Sequence, residues 1–232
     1  MKIYQVGGSV RDELLNIKSD DIDHAVVCNS FEEMVEYLAA QGYKIFQQKP
    51  EFGCVRACFP NSKLVADFTM CRKDGYYSDG RRPDNVSQGT LDDDLARRDF
   101  TVNSIAKDLE TGELIDPFNG ASDLKLMLLR PVGDPHDRMR EDGLRILRAF
   151  RFAVTKGFSF SDDLESVLQD PEIYKYLDNI TVERKHSELY KMFSNNTVQS
   201  IEMFNRYPRE LLTAIFKDGL WLMPTNKRAK LH

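Results

Sequence analysis

No apolar run in the 232 residues approaches the roughly 20 needed to cross a bilayer, so a membrane-spanning helical protein is excluded. The Met-Lys start leads straight into a strand pattern and carries no secretory signal, which points to a cytoplasmic location and no membrane partner. Cysteine is scarce. Cys28, Cys54, Cys58 and Cys71 lie in apolar, strand-like segments and read as buried thiols rather than zinc ligands. Basic excess is missing too: 37 acidic residues against 32 Lys and Arg give a net charge of −5. That balance excludes a protein gripping nucleic acid over its whole surface and leaves room for a local basic face. Internal repeats and low-complexity stretches are absent. What is present is a chain with 41% hydrophobic residues, enough for the core of one large domain or two small ones.

The rest of the sequence is organised around residues 5–25, QVGGSVRDELLNIKSDDIDHA. A short apolar strand runs into Gly7 and Gly8, where backbone without Cβ can approach a ligand, and SVRDELL then has helical spacing. Such a helix start, with Gly8 and Arg11, would cradle phosphate. Asp21 and Asp23 stand two apart in a β-type run, so their side chains leave one face of the strand about 7 Å apart and could share a divalent metal ion. Taken singly, a glycine pair is a tight turn and an exposed Asp-x-Asp a solvated strand end. Their succession is what carries information.

Further along, FEEMVEYLAAQG reads as an amphipathic helix ending at Gly42, and residues 54–59 and 63–70 as strands joined at Pro60, Asn61 and Ser62. Asp67 interrupts the apolar strand VADFTM, which is costly unless the acid is solvated, paired or bound to metal. Residues 75–89 have loop composition. Residues 91–108 place Leu91, Leu95, Phe100, Val102 and Ile105 roughly on helical spacing. Asp116 with Pro117 and Asn119 with Gly120 carry turn chemistry, Asp116 reading as a turn-stabilising carboxylate, before a helix near 121–126 and a short strand LLRPV.

Residues 137–157, DRMREDGLRILRAFRFAVTKG, give the strongest helical pattern, expected to run unbroken to Gly157. Asp142, Arg145, Arg148 and Arg151 form a polar stripe along it, either a solvated salt-bridged face or a binding face. A second helix, TVERKHSELYKMF, has Val182, Leu189, Met192 and Phe193 as its apolar set and Thr181 as cap. Leu211, Leu212, Ile215, Phe216 and Trp221 read as packing residues.

GGSVRD followed by DIDHAV resembles the first motif of the polymerase-beta-like nucleotidyltransferases, in particular the class II tRNA CCA-adding enzymes and bacterial poly(A) polymerases. The resemblance extends through DFTMCRKD, with Arg72 and Asp74, a loop of the Tyr-x-Asp-x-Arg-Arg-Pro type, RRDFTVN, and the EDxxR…RAxRFA pattern of residues 141–153. It covers residues 1–193. It implies an α+β fold, with a mixed-sheet head over residues 1–137 and an all-helical neck over 138–232.

The resemblance also implies roles. Asp21, Asp23 and Asp67 would be the catalytic carboxylates and hold Mg2+. Gly8 and Arg11 would cradle phosphates, Arg98, Asp99 and Asn103 would clamp the sugar and phosphates of the nucleotide, and Asp142, Arg145, Arg148 and Arg151 would read its base. Cytosine and adenine share an exocyclic amine donor beside a ring-nitrogen acceptor, a pattern that an Asp acceptor and an Arg donor can copy. The implied partners are CTP, ATP and the 3′ end of tRNA at its acceptor stem. Family members carry a further helical body and tail for the tRNA elbow, which the residues after 193 do not match. Full CCA addition, A-only or poly(A) addition, and a non-catalytic RNA-binding remnant all stay open, as does the oligomeric state.

Overall fold

A computed structural model describes residues 1–19, 22–77, 84–217 and 219. Strand β1 (Lys2–Val6) buries Tyr4 and Val6, and Gly7 turns the chain at φ +74° into α1 (Gly8–Leu14). Strand β2 (Asp23–Val27) returns antiparallel to β1. Helix α2 (Phe31–Ala40) starts where Ser30 Oγ accepts the Glu33 N–H at 3.1 Å, and buries Met34 and Leu38. Then come β3 (Lys44–Lys49), β4 (Cys54–Cys58) and β5 (Val65–Met70), with Asn61 in the left-handed region at the β4/β5 turn. Strand β5 lies parallel to β2, the one parallel pair in the large sheet.

Strand β6 (Arg72–Asp74) pairs with β7 (Val86–Gln88) in a small hairpin, so residues 75–89, expected to be loop throughout, hold a short strand near their C-terminal end. The arginines of that stretch, Arg81 and Arg82, lie outside the described residues. Helix α3 (Leu91–Ala96) opens on a capping box between Thr90 and Asp93. It ends early. The helix expected over residues 91–108 gives way to a 3₁₀ turn (Thr101–Asn103) and to β8 (Ala106–Asp108), because Phe100 bridges Pro131 and Thr101 takes Arg130 O as partner. Helical spacing of apolar residues here reflects burial on two sides, not a helix. Strand β9 (Leu114–Ile115) completes a seven-stranded sheet in the order β3-β4-β5-β2-β1-β8-β9. Asp116 then accepts from Gly120 N at 2.7 Å and Ala121 N at 2.9 Å, the turn role expected of it, and starts α4 (Gly120–Lys125).

After β10 (Leu128–Leu129) the chain is helical except for β11 (Ser159–Phe160), which pairs with β10. Helix α5 (Pro135–Glu141) contains the expected head boundary at residue 137. The long helix expected to end at Gly157 is two helices, α5 and α6 (Leu144–Lys156). Asp142 between them is extended (φ −144°, ψ 102°), and its Oδ1 accepts Leu144 N at 3.1 Å. Gly143 is buried against the carbonyl of Tyr176. Helix α7 (Asp162–Gln169), a 3₁₀ segment (Pro171–Asn179), α8 (Val182–Asn195), α9 (Thr197–Phe204) and α10 (Glu210–Phe216) follow. Leu189, Met192, Leu211 and Ile215 are buried as expected, whereas Val182 at the first turn of α8 is exposed and Thr181 makes no side-chain cap bond. Trp221 lies outside the described residues.

Three apolar cores hold these parts. Met34, Leu38, Val55 and Phe68 join α2 to one sheet face, and Tyr4, Val6, Ala25, Leu91 and Leu95 join α3 to the other. The third runs from Val10, Phe100 and Ile105 through Phe150 and Phe152 to Leu189 and Ile215, tying α1 to the C-terminal helices. Cys28, Cys58 and Cys71 are buried, Cys54 is half-buried and all four are free thiols; burial pushes the Cys71 thiol up to about 12. Among the described residues no helix is long and apolar enough to cross a membrane.

Candidate nucleotide and metal site

Strand register gathers the site. Asp67 stands beside Asp23, Asp23 beside Val6 and Val6 beside Ala106, so one end of four adjacent strands carries both carboxylates, the Gly7 turn and the exit from the 3₁₀ turn. Neighbouring strands are about 4.8 Å apart, so Asp23 and Asp67 are adjacent on one sheet face, opposite the buried Ala66 and Phe68. Asp21, two residues before β2, lies outside the described residues. Oxygen-only carboxylates open to solvent suit a hard divalent cation, and the two described ones, Asp23 exposed and Asp67 half-buried, fit Mg2+ as part of its ligand set. Among the described residues no group of three metal-ligating side chains forms. Arg56 Nε lies 3.4 Å from Asp67 Oδ1.

Beside this row opens a cavity of about 850 Å3 lined by Gly8, Arg11, Arg98, Asp99, Asn103, Asp142, Arg145, Arg148 and Arg151, all nine expected nucleotide-site residues, and by Asp23. Its wall carries nine Lys or Arg side chains against four Asp, a local positive surplus on a chain of net charge −5. Of the five arginines from 138 to 151 that make up the local basic face, Arg145, Arg148 and Arg151 line the cavity, whereas Arg138 and Arg140 do not, and Arg140 pairs with Asp137.

Each cation is tethered from behind. Arg11 donates to Asn103 Oδ1 at 2.6 Å and to Asp12 Oδ1 at 2.9 Å, and Lys156 meets the same Asp12 oxygen at 3.1 Å. Arg98 Nη2 contacts Asp94 Oδ2 at 2.9 Å, and a Cβ on Gly7 would come within 2.8 Å of Arg98 Nη1. Gly7 thus makes room for an arginine as well as a turn. Asp99 accepts from Phe100 N, Asn103 Nδ2 and Arg148 Nε at 2.8, 2.9 and 2.7 Å. Burial alone would raise its carboxyl, but Arg148 and these donors outweigh it and hold it well below the usual range. The same pairing raises Arg148. Arg151 binds Glu188 and lies 4.1 Å over the Phe152 ring, which Arg11 and Arg148 also approach at 5.1 and 5.6 Å.

Asp99 and Asn103 therefore act on Arg148 and Arg11, and their polar atoms are engaged within the protein. Asp142 precedes α6 and does not share a helix face with Arg145. Its Oδ2 takes Arg184 Nη2 at 3.0 Å. Arg145 donates to Glu141 Oε2, Arg138 O and Arg97 O at 2.8, 2.8 and 3.0 Å. Sequence reasoning missed Lys156, Arg184, Asp94 and Glu188. Lys156 alone had a local signal, as a cation about three helical turns beyond Arg145 on the same face of α6.

These features define a nucleotidyltransferase-like head, and the chain belongs to the poly A polymerase head domain family, whose profile matches residues 3–130. It is similar to the CCA-adding enzyme of Lactobacillus helveticus, 39% identical over 190 residues, which cover 82% of this chain and 45% of the relative. The Bacillus stearothermophilus CCA-adding enzyme in complex with CTP superposes with a TM-score of 0.72 at 31% identity, over 90% of this chain and 48% of that one. The Thermotoga maritima CCA-adding enzyme complexed with tRNA gives 0.75 at 30%, over 93% and 48%. A tRNA nucleotidyltransferase complexed with a primer tRNA and an incoming ATP analog gives 0.74 at 30%, over 95% and 60%. The chain spans about half the length of the curated relatives it matches.

Proposed function

We propose that the protein is a template-independent RNA nucleotidyltransferase that adds C and/or A from CTP and ATP to the 3′ end of tRNA, in CCA addition or repair. The observation that carries this is the adjacency of Asp23 and Asp67 at one sheet end to a cavity with a surplus of cations. Similarity to proteins solved with CTP, tRNA and an ATP analog supports it. The head comprises residues 1–137 and the neck 138–232.

Asp21, Asp23 and Asp67 would hold Mg2+, which supplies activation of the attacking hydroxyl and shielding of the leaving pyrophosphate. The protein's own groups do the rest. Arg11, Arg98 and Lys156, beside Gly8, neutralise the triphosphate, and their tethers to Asn103, Asp94 and Asp12 fix them before substrate arrives. The RNA 3′-hydroxyl gives its proton to solvent as its oxygen bonds to the α-phosphorus, while the bond to pyrophosphate breaks in line. Asp142 accepts the amine proton of cytosine or adenine, and Arg145 donates to the neighbouring ring nitrogen once it exchanges an internal acceptor for the base.

A second reading, A-only or poly(A) addition, is favoured by the family description itself. One assay separates the readings. The protein is incubated with tRNA lacking CCA, tRNA lacking only the terminal A, or an unrelated RNA, each with CTP alone or ATP alone. CCA addition extends the first with CTP and the second with ATP. Extension of all three with ATP alone supports poly(A) addition, and no magnesium-dependent incorporation on any RNA refutes both.

A further inference from the structure

Asp23 borders two cavities. One is the arginine-lined volume of the nucleotide site; the other, about 230 Å3, opens on the Asp67 side and is bordered by Arg56, Lys63 and Leu64. Arg56 faces Asp67 across the antiparallel β4/β5 ladder, with side chains 51% and 36% exposed. An ion pair at 3.4 Å between groups so exposed is weak. Arg56 is therefore held close to the carboxylate without being committed to it. Lys63 follows the β4/β5 turn on the same cavity wall. The nucleotide cavity uses neither cation.

We propose that Arg56 and Lys63 seat the backbone phosphate next to the 3′-terminal nucleotide of the RNA being extended. This rests on the nucleotidyl-transfer reading and names where its second substrate enters. In-line displacement requires the attacking oxygen and the leaving group on opposite sides of the α-phosphorus. If the triphosphate occupies the large cavity, the attacking 3′-hydroxyl must reach Asp23 from the other side, where the second cavity opens. That cavity is smaller than usual small-molecule sites and has no aromatic residue in its lining, so it is built to take charge rather than to stack a base. Two cations on its rim match a phosphodiester, and the carboxylates behind them repel a phosphate that slides too deep.

The test uses an acceptor-stem RNA hairpin ending in CC, with either a natural or a neutral methylphosphonate last linkage, in magnesium without nucleotide. Binding is measured for wild type, the double variant Arg56→Ala with Lys63→Ala, and the charge-keeping variant Arg56→Lys with Lys63→Arg. Losing both cations from this one single-strand phosphate should weaken binding about tenfold and lower the salt slope by about 0.7. CTP affinity should stay within about twofold, since uniform loss would be a folding effect. The methylphosphonate should weaken wild-type binding and leave the double alanine variant unaffected, and the charge-keeping pair should recover most of the loss. If the neutral linkage weakens the alanine variant as much as wild type, the assignment is wrong although nucleotidyl transfer stands. A wild-type protein that neither binds nor extends the hairpin would refute nucleotidyl transfer and this seat with it.

Discussion

Replacing Gly143 by alanine gives opposite signs for the two ways of reading residues 137–157. If they formed one helix, as their periodicity suggests, a mid-helix Gly→Ala change would stabilise the protein by about 0.5–1 kcal/mol. In the structure the chain breaks at Asp142, Gly143 has φ −56°, and a Cβ there would lie 2.2 Å from Tyr176 O and 2.6 Å from its carbonyl carbon. Both are backbone atoms, so no side-chain rotation relieves the clash, and the 3₁₀ segment must retreat by about an ångström or the junction must open. Overpacking of this kind costs about 1–3 kcal/mol, sometimes more, which exceeds the propensity gain. Gly143 lies outside either helix interior, so that gain does not apply, and a loss of about 2 kcal/mol corresponds to a fall in Tm of about 4–8 °C for a chain of this size. Urea and thermal melts followed by circular dichroism measure it. Gly157→Ala is the control: its φ of +76° is strained for alanine but nothing lies within 4 Å, so about 1 kcal/mol is expected. A Gly143→Ala protein more stable than wild type would refute the break and the close approach together.

The remaining predictions concern the site. Asp23→Ala should abolish magnesium-dependent incorporation while denaturation is unchanged to within about 0.5 kcal/mol, because an exposed carboxylate beside another is lost; near-wild-type turnover would sink the metal assignment. Asp94 has its carboxyl pKa lowered: burial would raise it, but Arg98 and Arg97 outweigh burial. A depressed folded-state value means stability present above the ordinary carboxylate range and lost as pH falls through and below it, so Asp94→Asn should flatten the acid limb of a stability profile. An unchanged limb would contradict the tether. Asp142→Asn keeps an oxygen for Leu144 N–H but replaces one acceptor by a donor. CTP and ATP use should fall together and their margin over UTP and GTP narrow, whereas wild-type ratios for all four nucleotides would assign Asp142 to Arg184 alone.

What could be read from sequence was local chemistry. Gly7 and Gly8 before a helix, Asp67 in an apolar strand and Asp116 at a turn each show a residue type in conflict with its neighbours unless one structure resolves it. The nine expected nucleotide-site residues came instead from the family resemblance, and they line one cavity. The misreadings share a cause. Phe100, Val102 and Ile105 are buried from two sides by partners remote in sequence, which mimics a helical stripe, and the break at Gly143 depends on a carbonyl 33 residues away. The ion-pair partners could not be read for a like reason: Arg148 reaches Asp99 across 49 residues and Arg184 reaches Asp142 across 42, distances over which periodicity carries no information.

Those long-range pairs also explain how an acidic chain builds a basic cavity. Unscreened cations crowded around one volume would repel each other and push the helices from the sheet. Here each arginine has a carboxylate or carbonyl behind it: Asp94 behind Arg98, Asp99 behind Arg148, Glu188 behind Arg151, and the Arg97 and Arg138 carbonyls behind Arg145. Arg148 with Asp99 and Lys156 with Asp12 join α6 to the N-terminal part of the chain, and Arg184 with Asp142 joins α8 to the α5/α6 junction, so the electrostatics that set the cavity wall also fasten these elements together. The guanidinium groups are held in place before any polyanion arrives, and reorganisation on binding is correspondingly small. Asp23 and Asp67 are the exception. They stand side by side in register on one sheet face, and Asp67 meets Arg56 only through a loose contact at 3.4 Å, an arrangement of oxygen donors that suits a divalent cation.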